Sequence, residues 1–92
     1  MPASQYTIEV LLRGLNILAL FSHENPTLSL TEIAILTGLN KTTAFRLVNT
    51  FEEAGYLLRD PGTKRYRPGI KVLQLGFTAI QDAHTHGLVD LL

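Results

Sequence analysis

The sequence predicts a mainly α fold closed by a small β-hairpin, and three observations predict it. Apolar residues recur at helical spacing in four stretches of the 92-residue chain. Two of those stretches end on Gly38 and Gly55, a residue type that adopts the left-handed conformation closing a helix without steric cost. Between two short strand-like runs stands Asp60-Pro61-Gly62-Thr63, in which proline presets φ and glycine accepts a positive one.

Residues 1–7 lack periodicity and contain Pro2 and Ser4, so a flexible arm is expected there. From Ile8 to Ser22 the pattern is helical, with Ile8, Leu11, Leu12, Leu15 and Leu18 on one side. Val10, Ile17, Leu20 and Phe21 decorate other sides. A helix apolar nearly all round needs cover on more than one face, which in so small a domain implies a partner chain. Pro26 breaks the pattern at Asn25. Ser29-Leu30-Thr31-Glu32 then matches a capping box, opening a helix over 30–37 with Ile33, Ala34 and Leu36 inward. After Gly38 only Leu39 and Asn40 precede the next helix, 41–54, for which Asn40 is the N-cap. Ala44, Leu47, Val48 and Phe51 form its inward stripe. Strands are expected from Tyr56 to Arg59 and from Lys64 to Arg67, with Tyr66 plugging the core. Pro68-Gly69 breaks the chain, and a last helix starts near Ile70 with Val72, Leu73, Phe77 and Ile80 as its apolar side.

Two helices joined by a tight glycine-containing turn are the helix-turn-helix signature, and a hairpin behind them is a wing. The expected fold is therefore a winged helix-turn-helix. In such a motif the second helix reads the major groove of duplex DNA. Helix 41–54 turns Lys41, Thr42, Thr43, Phe45, Arg46 and Asn49 off its buried stripe. These types suit a base edge: arginine forks onto guanine, asparagine onto adenine, threonine offers hydroxyl and methyl, and an aromatic meets a thymine methyl. Lys41 and Thr42 at the helix N-terminus suit a phosphate. Glu52 and Glu53 lie at the far end. A solvated helix face is the plainer alternative for each residue singly, and packing against the first helix is the alternative for Phe45. Lys64 and Arg65, near the hairpin tip, suit phosphate or minor-groove contact, the alternative being a charged strand edge kept soluble.

Bulk properties limit the other classes. The length fits one domain, and 46% apolar content fits a packed core rather than disorder. No apolar run is long enough to span a membrane, and MPASQYT has no signal-peptide features, so a cytoplasmic protein without membrane contact is expected. The absence of cysteine excludes a disulfide framework, a zinc ribbon and a thiol nucleophile. Eight Lys and Arg balance eight Asp and Glu, which counts against nucleic-acid binding as a sum. The distribution does not: residues 55–71 carry Arg59, Lys64, Arg65, Arg67 and Lys71 against Asp60 alone. No nucleophile-elbow or phosphate-loop motif appears, so neither catalysis nor a cofactor is expected. His84 and His86 point to different sides of a helix, so no metal site is expected from them.

Taken in order, several stretches resemble the N-terminal domain of the IclR family of bacterial transcription regulators. They are Leu12-Arg13-Gly14-Leu15-Asn16-Ile17-Leu18, Ser29-Leu30-Thr31-Glu32-Ile33-Ala34, Thr37 through Leu47, Glu53-Ala54-Gly55-Tyr56-Leu57, and Tyr66 through Gly76. The resemblance implies a dimer on a partly palindromic operator in double-stranded DNA, and a small-molecule effector bound by a further C-terminal domain that this chain does not contain. It places recognition on Lys41, Thr42, Thr43 and Arg46. Arg13 matches a recurrent arginine of the family, for which a DNA-backbone contact and a structural salt bridge are both open. The implied organisation is an arm at 1–7, a DNA-binding domain at 8–77 and the start of a helical linker at 78–92. Two departures stand out. Pro68 replaces an aliphatic residue, loosening the packing of the second wing strand against the last helix, and Val10 replaces a polar cap, so that the first helix begins earlier or frays. The competing expectations are a winged-helix protein-interaction module without DNA reading, motivated by the apolar first helix, and a small-molecule sensor.

Overall fold

The computed structural model describes residues 5–85. Its elements are α1 (Glu9–Leu18), α2 (Leu30–Thr37), α3 (Lys41–Ala54), β1 (Leu57–Arg59), β2 (Tyr66–Pro68) and α4 (Ile70–Thr85). Four helices and one antiparallel hairpin make the winged helix-turn-helix that the pattern predicts. Met1 to Ser4 of the expected arm, residues 86–92 of the expected linker, and His86 lie outside the described residues.

The helix ends follow local chemistry. Ser29 and Glu32 close the capping box in both directions: Ser29 N–H donates to Glu32 Oε1 at 2.8 Å, and Glu32 N–H to Ser29 Oγ at 3.1 Å. Asn40 Oδ1 accepts from Thr43 N–H at 2.8 Å, starting α3 at Lys41. Gly38 and Gly55 end α2 and α3 with φ of 73° and 87°. Each satisfied terminal group is worth about 1 kcal/mol against an uncapped end.

Seven apolar side chains form the core: Ile17, Leu28, Ile33, Ala44, Val48, Leu57 and Tyr66. Ile17 comes from α1, Ile33 from α2, Ala44 and Val48 from α3, Leu57 and Tyr66 from the hairpin. Leu28 comes from the connection before α2, which was expected to be only a break. Its backbone forms an isolated antiparallel bridge with Tyr66, Leu28 N–H to Tyr66 O at 3.0 Å and Tyr66 N–H to Leu28 O at 2.8 Å. The hairpin is thus fastened to the chain segment that leads into the helix-turn-helix.

Four expectations need correction. The first helix stops at Leu18, not Ser22: the chain turns so that Leu20 and Phe21 pack against the core rather than continuing round the helix. It starts at Glu9 with no side-chain cap from Ile8, in line with the missing polar cap. Leu36 faces solvent, because α2 is only eight residues long and buries one residue, Ile33. The second strand is Tyr66–Pro68 rather than Lys64–Arg67, because Lys64 is consumed by the turn, at φ 62°. Pro68 ends that strand opposite Leu57 instead of breaking the chain before it.

The junction from β2 to α4 crosses directly over the end of α3. A Cβ on Gly69 would lie 2.4 Å from the Gly55 carbonyl oxygen, so no side chain fits there. Gly69 N–H donates to Tyr56 O at 2.9 Å and Lys71 N–H to Gly55 O at 3.1 Å, which ties the start of α4 to that corner. Beyond it, α4 buries none of its residues.

Adjacent isoleucine sites on α2 test the core assignment. Ile33 is 0% exposed and Ile35 73%. Ile33→Ala is expected to lower unfolding stability by about 2–5 kcal/mol in urea denaturation, and Ile35→Ala by less than about 0.5 kcal/mol.

Candidate nucleic-acid interface

Helical periodicity divides the open surface of α3 into two rows. Ala44 and Val48 are buried, with Leu47 and Phe51 half-buried beside them. Thr42 and Arg46, one turn apart, lie opposite that stripe and are exposed. Thr43 is partly covered at the edge of this row, where its backbone takes the Asn40 cap. Lys41, Phe45, Asn49 and Glu52 form the second row, on the side of the wing. Acidic residues are absent from the first turn of α3, so its N-terminal dipole faces solvent without a neutralising carboxylate.

The second row is one wall of an open cleft of about 530 Å³. Ser29, Leu30 and Thr31 at the start of α2 form its floor, and Arg59, Thr63 and Lys64 of the hairpin its far wall. Phe45 lines this cleft at 49% exposure, together with residues of α2 and the wing and none of α1. Glu52 closes the inner end: it is nearer the cleft than its place in the sequence suggests. Thr31, Arg59 and Thr63 are cleft residues that periodicity alone does not single out. Arg59 could have been found from its place opposite Tyr66 in the hairpin register, once the strand limits were known.

The tip that carries Lys64 is held by its own hydrogen bonds. Asp60 Oδ1 accepts from Gly62 N–H at 3.0 Å and Asp60 Oδ2 from the Thr63 hydroxyl at 3.0 Å. These bonds, the Gly62 amide foremost, hold the Asp60 carboxyl below its usual range. Asp60 O accepts from Lys64 N–H at 2.7 Å, and Lys64 takes a left-handed φ that a lysine adopts only at a cost of order 1 kcal/mol. The cation is thereby displayed at the rim.

Arg65 is turned the other way. Its Nε donates to the Thr27 hydroxyl at 3.0 Å, and its Nη2 donates to Thr27 O at 3.1 Å and pairs with Glu32 Oε1 at 2.8 Å. A residue expected at the tip is engaged inside the domain. Glu32 Oε1 therefore receives both the Ser29 N–H and the Arg65 guanidinium. The Ser29 N–H, then the Ser29 hydroxyl, then Arg65 hold the Glu32 carboxyl below the usual carboxylate range, against an opposing effect of burial. Arg13 pairs with Glu9 one turn back at 3.3 Å, the salt-bridge alternative of its two readings.

The pattern of the IclR helix-turn-helix domain matches residues 10–61, which run from α1 to the turn after β1. The chain belongs to the IclR family. It is 38% identical over 64 residues to the HTH-type transcriptional regulator XynR of Escherichia coli, covering 70% of this chain and 25% of that protein. It is 37% identical over 68 residues to the HTH-type transcriptional regulator KipR of Bacillus subtilis, covering 74% and 26%. An IclR transcriptional regulator of known structure from Alicyclobacillus acidocaldarius superposes with a TM-score of 0.81 at 32% identity, covering 94% of this chain and 36% of that one. The chain thus spans about a quarter of the length of the curated relatives it matches, and those relatives are named as regulators, not as enzymes. Among the described residues no helix is long and apolar enough to cross a membrane.

In this IclR-family domain the Glu32 cap carries a pH signature. Its pKa is lower folded than unfolded, so its stabilisation is complete above the unfolded carboxylate range and is lost as pH falls through the folded value. The thermal midpoint is expected to drop between about pH 5 and pH 3. Glu32→Gln keeps an acceptor for the Ser29 amide and is expected to flatten part of that drop. Parallel midpoint-against-pH curves for both proteins would exclude the assignment.

Proposed function

We propose that this domain binds duplex DNA sequence-specifically as part of a bacterial transcription regulator, with the N-terminal half of α3 in the major groove. The observation that carries this reading is the row of Thr42 and Arg46, with Asn49 beside it, projecting directly opposite the core stripe of a helix whose first turn bears no acid. Arg46 forks onto a guanine edge, and Thr42 and Thr43 contribute a hydroxyl and a methyl to neighbouring positions. Lys41 at the helix start meets a phosphate. Phe45 and Asn49 face the groove edge next to the wing, while Lys64 and Arg59 follow the adjoining backbone. Membership of a family whose named relatives are HTH-type transcriptional regulators supports the same reading.

The active form on this reading is a dimer on a partly palindromic operator. Leu11 and Leu15 of α1, with Val72 and Leu75 of α4, line an open apolar groove of about 400 Å³ floored by Phe51 and Tyr56. Covering that groove with a second copy removes the apolar surface that α1 and α4 leave in water. Residues 8–77 act as the DNA-binding domain, and α4, which runs unbroken to Thr85, begins a linker to an effector-binding domain carried elsewhere in the whole protein. Such a regulator works in the bacterial cytoplasm, where the chromosome lies.

Arg46→Ala is expected to weaken binding to a duplex selected for tight binding by about 1–3 kcal/mol, and binding to scrambled DNA by much less, in fluorescence anisotropy at fixed salt. Equal losses on both duplexes would remove Arg46 from base reading. Leu15→Glu, at a half-exposed site, is expected to leave the fold intact and to convert a concentration-dependent dimer to a monomer in sedimentation. An unchanged sedimentation coefficient would exclude α1 from the interface.

A further inference from the structure

The cleft between α3 and the wing has a width set by where the hairpin sits. Two attachments tie the hairpin to the segment before α2 and to the first turn of that helix. One is the backbone bridge between Leu28 and Tyr66, at the base of β2. The other is the Arg65 side chain, one residue nearer the tip, gripping Thr27 and Glu32. The bridge, with Leu57 and Tyr66 buried in the core, fixes the base of the hairpin but reaches no nearer the tip than Tyr66. The guanidinium adds a second point of attachment on the same strand, and its planar fork fixes direction as well as distance. Its carboxylate partner is itself immobile, since Glu32 is tied to the Ser29 amide at the first turn of α2. The floor of the cleft, Ser29 to Thr31, and its far wall, Thr63 and Lys64, are therefore joined through one buttress.

We infer that Arg65 is a positioning residue for DNA binding, which locks the wing to the capped start of α2 and so holds Lys64 at the spacing from α3 that one groove edge requires. It does not itself meet a phosphate. This inference rests on the proposed DNA reading for its functional half, while its structural half, the lock, is independent of DNA. The geometry separates it from the alternative for an arginine at a wing: its three side-chain contacts go to Thr27 and Glu32, and none of these three residues lines the cleft.

The lock makes an unusual prediction for Glu32. An acid beside a DNA interface ordinarily repels phosphate, so removing its charge strengthens binding. Here removing it takes away the opposite charge that holds the Arg65 guanidinium beside its two Thr27 bonds, and so loosens the wing and weakens binding. The 92-residue chain and its Glu32→Gln, Arg65→Gln, Arg65→Lys and double Glu32→Gln/Arg65→Gln variants are titrated with a duplex selected on the wild type and with a scrambled one. Backbone amide order parameters at Thr63 and Lys64 are measured by nitrogen-15 relaxation without DNA. Arg65→Gln is expected to weaken selected-duplex binding roughly tenfold, because the wing must then be ordered on binding. Glu32→Gln weakens it in the same direction, the double variant is no weaker than Arg65→Gln, and Arg65→Lys does not restore it because a point charge lacks the fork. The order parameters fall from about 0.85 toward 0.6 in each single variant. Glu32→Gln retains the cap, so it reads the lock even where an Arg65 variant folds poorly. Binding by Glu32→Gln as tight as wild type or tighter overturns the inference, as do unchanged order parameters. Failure of the wild type to bind any duplex overturns the DNA reading instead, and the order parameters then decide the lock by themselves.

Discussion

Tyr66 is where the hairpin and the helix-turn-helix become one body. Its backbone exchanges two hydrogen bonds with Leu28, its ring is 3% exposed in the core, and it pairs with Arg59 across the hairpin. A two-stranded hairpin is marginal in water by itself. Here it gains a short third pairing partner from the segment before α2 and an aromatic anchor between α1, α2 and α3. Beside that anchor stand the buried Leu57, the Arg65 contacts with Thr27 and Glu32, and the ladder of three residue pairs. The orientation of the wing residues, Lys64 and Arg59 included, starts from this insertion at the base of the hairpin.

The same economy explains the rest of the surface. Seven buried apolar residues suffice to fix α1, α2, α3 and the hairpin, but not to cover α4 or the outer side of α1. The tie between Gly69 and the Gly55 corner sets the direction in which α4 leaves, and α4 leaves the core without burying a residue. A helix with an apolar side and no buried residue is stable only when something else supplies the cover, since isolated helices of this length are marginal in water. The unburied apolar side and the open groove beside it are two views of one deficit.

Much of this was legible in the sequence, because the signals involved are local. Ser29 with Glu32, Asn40, Gly38 and Gly55 fix helix ends through groups three or four residues apart, and α2 and α3 begin and end where those residues place them. The stripe of Ala44, Leu47, Val48 and Phe51 follows from helical periodicity and points the candidate reading residues outward. What could not be read depends on contacts distant in sequence. Leu28 looks like a loop residue until its partner Tyr66 is known. Leu20 and Phe21 continue the helical pattern of α1, and only the core they fall into tells the chain to turn. Lys64 has strand-like neighbours, and the turn takes it because the Asp60 carbonyl accepts its amide. Arg65 and Thr27 are 38 residues apart, and no spacing rule joins them.

The neutral total charge acquires a meaning from these placements. Of the five cations that the sequence places at 55–71, Arg65 is paired with Glu32, and elsewhere Arg13 is paired with Glu9. Glu52 stands at the inner end of the cleft. Lys41, Arg59 and Lys64 line the cleft and Arg46 is exposed on the outer row of α3, while Arg67 and Lys71 lie outside the cleft lining. Each neutralised phosphate contributes a slope of about −0.9 in log affinity against log salt. For the proposed DNA binding, a rim of so few cations gives shallow, weak non-specific binding. On the proposed reading, discrimination then comes from geometry: two such rims at the spacing of two half-sites multiply their affinities only on DNA that matches both. A wing braced by Arg65, on that reading, suits such an arrangement, because little of its order then has to be gained on the matching sequence.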